Sequence, residues 1–234
     1  MRWRQQWLQV RDAALDLLFP PRCAGCGRRG QWFCDDCLAA TERICPPLCP
    51  RCGRPMTHER LCRICRETHL TIDGIRAVAY FEGNLRSAIH RFKYDGAQAL
   101  AGPLAQLLVE YQMNNQLPAD VIVPVPLHPH REAERGYNQS ALLARVLSSH
   151  LGVPATERAL VRVRATTPQV SLDARDRHSN VAGAFRARVN EVTGRRVLLI
   201  DDVCTTGATM ESCSQALKSA GARSVWGLAL ARGR

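Results

Sequence analysis

The 234-residue chain has no apolar run approaching the roughly 20 residues that span a bilayer, so no membrane-spanning helix is expected. No secretory signal is expected at this N-terminus either. Arg11, Asp12 and Asp16 break the apolar positions of the N-terminus, and no small-residue cleavage site follows. Lysine is almost absent: Lys93 and Lys218 are the only two, and every other base is arginine. Arginine suits bidentate phosphate contacts, although a general compositional bias toward arginine gives the same count. There is no Gly-x4-Gly-Lys-Ser/Thr loop and no Gly-x-Gly-x-x-Gly fingerprint. That argues against a Walker nucleotide site and a dinucleotide fold.

What is present starts with charge. The formal balance is +11, and it is spread along the chain. Residues 1–70 hold 12 arginines against 7 acids, and residues 71–234 hold 20 bases against 14 acids. Anionic partners are favoured in general, such as nucleic acid, phosphates or pyrophosphate. Eleven cysteines need a reason, and nine lie between Cys23 and Cys65. Without an export signal the expected location is the thiol-reducing cytoplasm, where metal ligation is favoured over disulfides.

The chain divides into three pieces: 1–19, 20–70 and 71–234. In the first, Trp3, Trp7, Val10, Ala14, Leu17 and Leu18 form one helical stripe that ends at Pro20-Pro21. Its mixed acids and bases favour packing onto the body of the protein over lying on a membrane surface. The second piece is rich in Cys, Pro, Gly and Arg and poor in large apolar residues, so a cross-link must hold it.

That piece contains four Cys-x-x-Cys pairs: Cys23/Cys26, Cys34/Cys37, Cys49/Cys52 and Cys62/Cys65. Eight thiolates supply two closed tetrahedral zinc sites, whose expected role is folding. Glycine follows the first and third pairs only, so the pairs alternate in type. This favours two consecutive ribbons, with crossed pairings left open. Cys45, His58 and His69 are expected bystanders. The ribbons serve either as scaffold or as a contact for nucleic acid or protein.

The third piece alternates strand and helix signals. Ile75–Tyr80, Val121–Val125, Ala159–Val163, Val197–Ile200 and Val225–Leu230 read as strands. Between them run four apolar stripes of helical period: Leu85/Ala88/Ile89/Phe92, Leu100/Leu104/Leu107/Leu108/Tyr111, Leu142/Leu143/Val146/Leu147 and Cys213/Ala216/Leu217/Ala220. Gly221 closes the last as a C-cap. The pattern predicts an α/β fold, a mostly parallel sheet with helices on both faces. Such sheets bind ligands at the carboxyl ends of their strands.

One strand end stands out. Val197–Ile200 leads into Asp201-Asp202, then Val203, Cys204 and the run Thr205-Thr206-Gly207-Ala208-Thr209, which opens a helix. Small residues let successive backbone N–H groups face one anion, and the helix N-terminus adds dipole and donors. The carboxylates repel phosphate, so their natural partners are ribose hydroxyls. An N-capped helix with incidental acids is the plainer alternative.

This segment, VLLIDDVCTTGAT, resembles the phosphoribosyl-pyrophosphate motif of type I phosphoribosyltransferases. Two further blocks narrow the match. One is Pro124-Val-Pro-Leu-His128 with Arg131 and Arg135-Gly-Tyr-Asn-Gln-Ser140; the other is Thr167-Pro-Gln169 with Arg177-x-x-Asn180-Val-x-Gly-Ala-Phe185. With Phe19-Pro-Pro-Arg-Cys23 and the cysteine module, the chain is similar to the ComF/GntX family over nearly its whole length. The resemblance implies a role in uptake, processing or utilization of DNA in natural competence. It implies that Asp201 and Asp202 are the catalytic acids and hold the ribose hydroxyls of phosphoribosyl pyrophosphate. It implies that Thr205, Thr206, Gly207, Ala208 and Thr209 cradle the 5′-phosphate, and that Cys204 is packing.

It further implies a pyrophosphate loop at Val123–Leu127, including Pro124, Val125 and Pro126. Gln169 to Asn180 is implied as a hood whose Arg175 and Arg177 clamp pyrophosphate. Arg131 and Arg135 either serve the same anion or form a solvated helix face. Lys93, at a helix end, either reaches the site or caps the helix, with capping favoured. His128 and His130 are candidate bases, more readily read as structural. Mg²⁺ is expected with the ligand. If the site turns over, it is a phosphoribosyltransferase of unknown acceptor, with pyrophosphate leaving ribose C1. The alternative is a non-catalytic protein that grips single-stranded DNA or adapts competence partners.

Overall fold

The computed structural model describes residues 20–58, 60–164 and 183–234. The helix expected over 1–19, the segment Thr167–Gln169 and the hood arginines Arg175 and Arg177 lie outside the described residues.

Strands β1 (Gly74–Tyr80), β2 (Val121–Pro124), β5 (Arg196–Cys204) and β6 (Ser224–Arg232) form one parallel sheet in the order β1-β6-β5-β2. Alternation along these strands separates two cores, because successive strand residues point to opposite faces. Val78, Ile122, Leu198, Ile200, Leu228 and Leu230 share one cluster with helices α3 (Gly83–Tyr94), α4 (Ala101–Asn115) and α6 (Gln139–Leu151). Ile75, Val121, Val123, Val197, Leu199 and Val225 share the other with helix α8 (Ala208–Ser219). Helices therefore cover both faces, as the near-continuous apolar strands require. Leu85, Ala88, Ile89 and Phe92 of the α3 stripe are all buried. Gly221 adopts φ +89° beyond α8, where the N–H groups of Gly221 and Ala222 close the helix on Lys218 and Leu217.

The structure differs from the sequence reading at two strands. The segment Ala159–Val163 yields only β3 (Leu160–Arg162), outside the main sheet. It pairs antiparallel with β4 (Phe185–Ala187), a strand that periodicity does not reveal because three residues hold no pattern. Strand β5 also continues past Ile200 through both acids to Cys204, where β6 pairs with it in register. The short helix α7 (Val189–Val192) follows β4.

The cysteine module lies against the β1 edge. Its short helices are α1 (Asp35–Ala39) and α2 (Arg63–Glu67). Arg43 forms an antiparallel bridge with Ala79, while Ile44 N–H donates to Val78 O and Tyr80 N–H to Glu42 O. Further along, Ile75 N–H donates to Arg51 O. These bonds occupy backbone groups that an edge strand otherwise leaves open to a second chain. Gly53 sits at φ +66°, where a Cβ would lie 2.3 Å from Ile75 O, so only glycine allows the knuckle to meet the strand.

Phe92 is fully buried between sheet and helices. Phe92→Ala is expected to lower unfolding free energy by about 3–5 kcal/mol. Met113→Ala, at a residue 66% exposed, is expected to change it by less than about 0.5 kcal/mol. Urea denaturation of the two variants checks both.

Candidate functional site

The cysteine clusters assemble from chain neighbours. Cys23, Cys26, Cys34 and Cys37 bring their sulfurs within 4.8 Å of one another, and so do Cys49, Cys52, Cys62 and Cys65. The pairing is therefore consecutive. Observed Sγ–Sγ separations are 3.6 Å for Cys23/Cys37, 3.6 Å for Cys26/Cys34 and 3.7 Å for Cys52/Cys62. A tetrahedron with zinc–sulfur bonds of about 2.3 Å has edges of about 3.8 Å, so the spacing fits an ion and is far too long for disulfides.

Backbone N–H groups add support. Cys34 N–H points at Cys23 Sγ (3.3 Å) and Cys62 N–H at Cys49 Sγ (3.4 Å). Burial opposes ionisation of both thiols, yet these donors and their neighbours bring Cys23 and Cys49 down to about 6. Burial and the neighbouring sulfurs hold Cys37 and Cys65 well above the ordinary thiol range. Four sulfurs this close form a donor set for one cation. The two clusters fit two structural zinc sites. Cys45, His58 and His69 belong to neither.

The second constellation lies at the carboxyl end of β5. Lys93 Nζ lies 2.7 Å from Asp202 Oδ1. Ser140 Oγ donates to Asp201 Oδ1 at 3.2 Å, and Asp202 N–H donates to the same oxygen at 2.9 Å. Lys93 thus reaches the acids, whereas helix-end capping is the role favoured by sequence alone. The correction has a packing cause: α3 ends against the block that starts α6. Tyr137 OH and Gln139 Nε2 both donate to Phe92 O. Asn138 caps α6 by accepting from Ser140 N–H and Ala141 N–H, and its Nδ2 donates to Val125 O. The Arg-Gly-Tyr-Asn-Gln-Ser block therefore joins α3, α6 and the end of β2, and so places Lys93 and Ser140 beside the acids.

Burial pushes the Asp201 carboxyl up to about 7, reinforced by the Asp202 charge and opposed by Lys93. Thr205, Gly207, Ala208 and Thr209 line a shallow depression with Asp201 and Val203. Gly207, at φ +87°, turns the chain into α8, and Thr206 Oγ1 accepts from Ala208 N–H at 3.3 Å. Gly207 itself is the N-cap of α8 and no side chain caps the helix, so the Thr206 bond is a local turn contact ahead of it and not the capping that sequence offered as the plainer alternative. Cys204 is buried as expected and receives Arg232 Nη2 at 3.6 Å.

Other expected groups divide. Pro124 ends β2, and Val125 N–H donates to Ile200 O, so Pro124, Val125 and Pro126 follow the strand beside β5. Helix α5 (Pro129–Arg135) carries Arg131 and Arg135. Arg135 stacks over Tyr94 at 5.1 Å and donates to Gln139 Oε1 at 2.6 Å, which makes it part of the block. His128 caps α5, and His130 pairs with Glu134.

Sequence reasoning did not single out Arg162. Burial pulls its guanidinium below the ordinary arginine value; Arg131 adds to this, while Cys213 and Asp201 oppose it. Arg162 therefore lies in the electrostatic reach of Asp201, placed there by the packing of β3 against α8. A larger cleft of about 420 Å³ opens between residues 43–48 and α4, lined by Arg43, Arg76, Glu110 and Tyr111. None of the β5 acids lines it.

Among the described residues no helix is long and apolar enough to cross a membrane. A type I phosphoribosyltransferase-like sheet preceded by two four-cysteine clusters defines the class of protein. Family models agree: a double zinc ribbon domain matches residues 14–66, and a phosphoribosyl transferase domain matches residues 137–233. The chain is 37% identical to the DNA utilization protein YhgH of Escherichia coli strain K12, covering 84% of this chain and 88% of that protein. It is 36% identical to competence protein F of Haemophilus influenzae, covering 73% of this chain and 78% of that protein. Among solved structures, adenine phosphoribosyltransferase from Leishmania tarentolae is similar, at 19% identity and TM-score 0.37, over 58% of each chain. This chain belongs to the ComF family that includes competence protein F and YhgH.

Two measurements follow. Cys23→Ser and Cys49→Ser are each expected to cut bound zinc from about two ions per chain to about one, read by atomic emission on purified protein. The raised Asp201 value carries a pH signature. Between 3.8, its ordinary value, and about 7 the folded state holds a proton that the unfolded state has lost. Stability from this group therefore falls as pH rises through that window. Asp201→Asn is expected to be more stable than wild type at pH 8, with the gap closing at pH 4, in denaturant titrations at both values.

Proposed function

We propose that the carboxyl end of β5 binds phosphoribosyl pyrophosphate or a related ribose phosphate with Mg²⁺, and that the protein acts in the uptake, processing or utilization of DNA. The observation that carries the reading is the adjacent pair Asp201 and Asp202 beside the Thr205–Thr209 turn into α8. Carboxylate oxygens accept from a ribose diol, and the turn with the helix N-terminus receives the phosphate. The names of the relatives, competence protein F and DNA utilization protein, support the biological setting.

In this reading the chain supplies position and charge. Asp201 and Asp202 orient the ribose ring, and their charge favours the positive character that develops as pyrophosphate leaves C1. Mg²⁺, when bound, neutralises the pyrophosphate oxygens. The described residues gather no third carboxylate or histidine beside the two acids, so most of the ion's shell would come from ligand oxygens and water. Arg131, and Arg175 and Arg177 from the hood segment, are the proposed pyrophosphate contacts. Arg135 is committed to Tyr94 and Gln139 in the ligand-free structure.

One observation favours a second, non-catalytic reading. Leu61 and Ile64 are exposed on the second ribbon, beside exposed Arg60, Arg63 and Arg66. Apolar groups among cations suit a grip on single-stranded DNA or an adaptor's partner. Titration calorimetry separates the readings. Phosphoribosyl pyrophosphate with Mg²⁺ is expected to bind, and Asp201→Asn/Asp202→Asn to weaken binding by about tenfold or more. Binding that is unchanged in the double variant overturns the ribose-phosphate reading. Absent binding, together with a single-stranded DNA affinity that falls steeply with salt, selects the second.

A further inference from the structure

Lys93 occupies an unusual place. Of 32 basic residues only two are lysines, and one of them stands on the acid pair. Its side chain is 21% exposed and that of Asp202 10%, so the ion pair is largely removed from water. An arginine here would grip the carboxylate with a planar fork, whereas lysine is a point charge on a flexible stem that changes partners readily. The backbone that carries it is held. Phe92 O accepts two side-chain donors, and Arg135 lies over Tyr94 while bonded to Gln139. Any exchange of partner therefore belongs to the lysine stem, with α3 in place.

Asp202 Oδ1 already accepts from the ammonium. A ribose diol that takes this acceptor leaves a largely buried ammonium without its anion, which is costly. Ribose 5-phosphate spends its single anionic group on the Thr205–Thr209 turn. A ligand with a second anionic group at C1 brings a new partner within reach of the lysine.

Resting on the ribose-phosphate reading above, we propose that Lys93 is a partner-exchange residue that sets ligand specificity. It neutralises Asp202 in the ligand-free protein and passes to the C1 pyrophosphate when ribose binds. The site thereby selects phosphoribosyl pyrophosphate over ribose 5-phosphate.

The test compares these two ligands, each with Mg²⁺, on full-length wild type, Lys93→Gln and Lys93→Met by titration calorimetry. Thermal melting and zinc content verify that the variants fold. In wild type the pyrophosphate ligand is expected to bind about 100-fold tighter or more. In both variants its affinity falls about tenfold or more, while ribose 5-phosphate holds its affinity or gains. The ratio of the two affinities is the readout. Equal weakening of both ligands, or an unchanged ratio, assigns Lys93 a purely structural role and overturns the proposal while the ribose-phosphate reading stands. Wild type that binds neither ligand removes that reading, and this one with it.

Discussion

Two adjacent carboxylates at the buried end of a central strand repel each other, and the architecture around β5 answers that repulsion. Asp201 and Asp202 follow the four fully buried apolar residues Val197–Ile200 of β5, and Asp202 is itself buried, so little water is available to solvate the pair. Burial, reinforced by the Asp202 charge, pushes Asp201 up to about 7. Relief comes from groups far away in sequence. Lys93 arrives from the end of α3 and Ser140 from the first turn of α6. The helices on that face of the sheet thus do more than cover it: their ends meet at the acids. The acid pair thus meets its partners within the fold itself, Lys93 on Asp202 and Ser140 on Asp201.

The zinc ribbons answer a different constraint. Residues 20–70 cannot bury a core of their own, and the fold resolves this in two ways. Each cluster of four sulfurs closes a local loop of chain, while the segments around them add hydrogen bonds to the β1 edge. Strand β1 is where a parallel sheet would otherwise expose open backbone groups. The ribbons are thus structurally joined to the sheet that bears the acids, through Arg43, Ile44, Arg51 and Gly53. Salt bridges such as Arg43–Glu110 (3.3 Å) add to this seam, although half-exposed pairs contribute little.

Much of the fold was legible because apolar periodicity reports which face of an element is buried. Four of five expected strands lie in the main sheet, and the stripes on α3 and α4 pack against it. Legibility failed where elements are short. Strands β3 and β4, three residues each, carry no period, so their antiparallel pairing and the placement of Arg162 required the structure. It failed again at α3. A lysine in the last turn of a helix suits the helix dipole, and nothing local says that the turn abuts a strand end over a hundred residues away. The tyrosine and glutamine that hold Phe92 O stand in the block that sequence marked as distinctive, yet their purpose is visible only in contact.

By itself the sequence determined the chemistry: eight paired thiols, two carboxylates at a strand end and a small-residue turn into a helix. These are local arrangements, set by spacing and by the strong preferences of Cys, Asp, Gly and Thr. Tertiary structure decided which groups share a site. It settled the consecutive pairing of the cysteines, the bond from Ser140 to Asp201 and the ion pair of Lys93 with Asp202. The physical reason is that a desolvated charge is stabilised by whichever counter-charge packing brings within about 3 Å, and packing is a property of the whole folded chain.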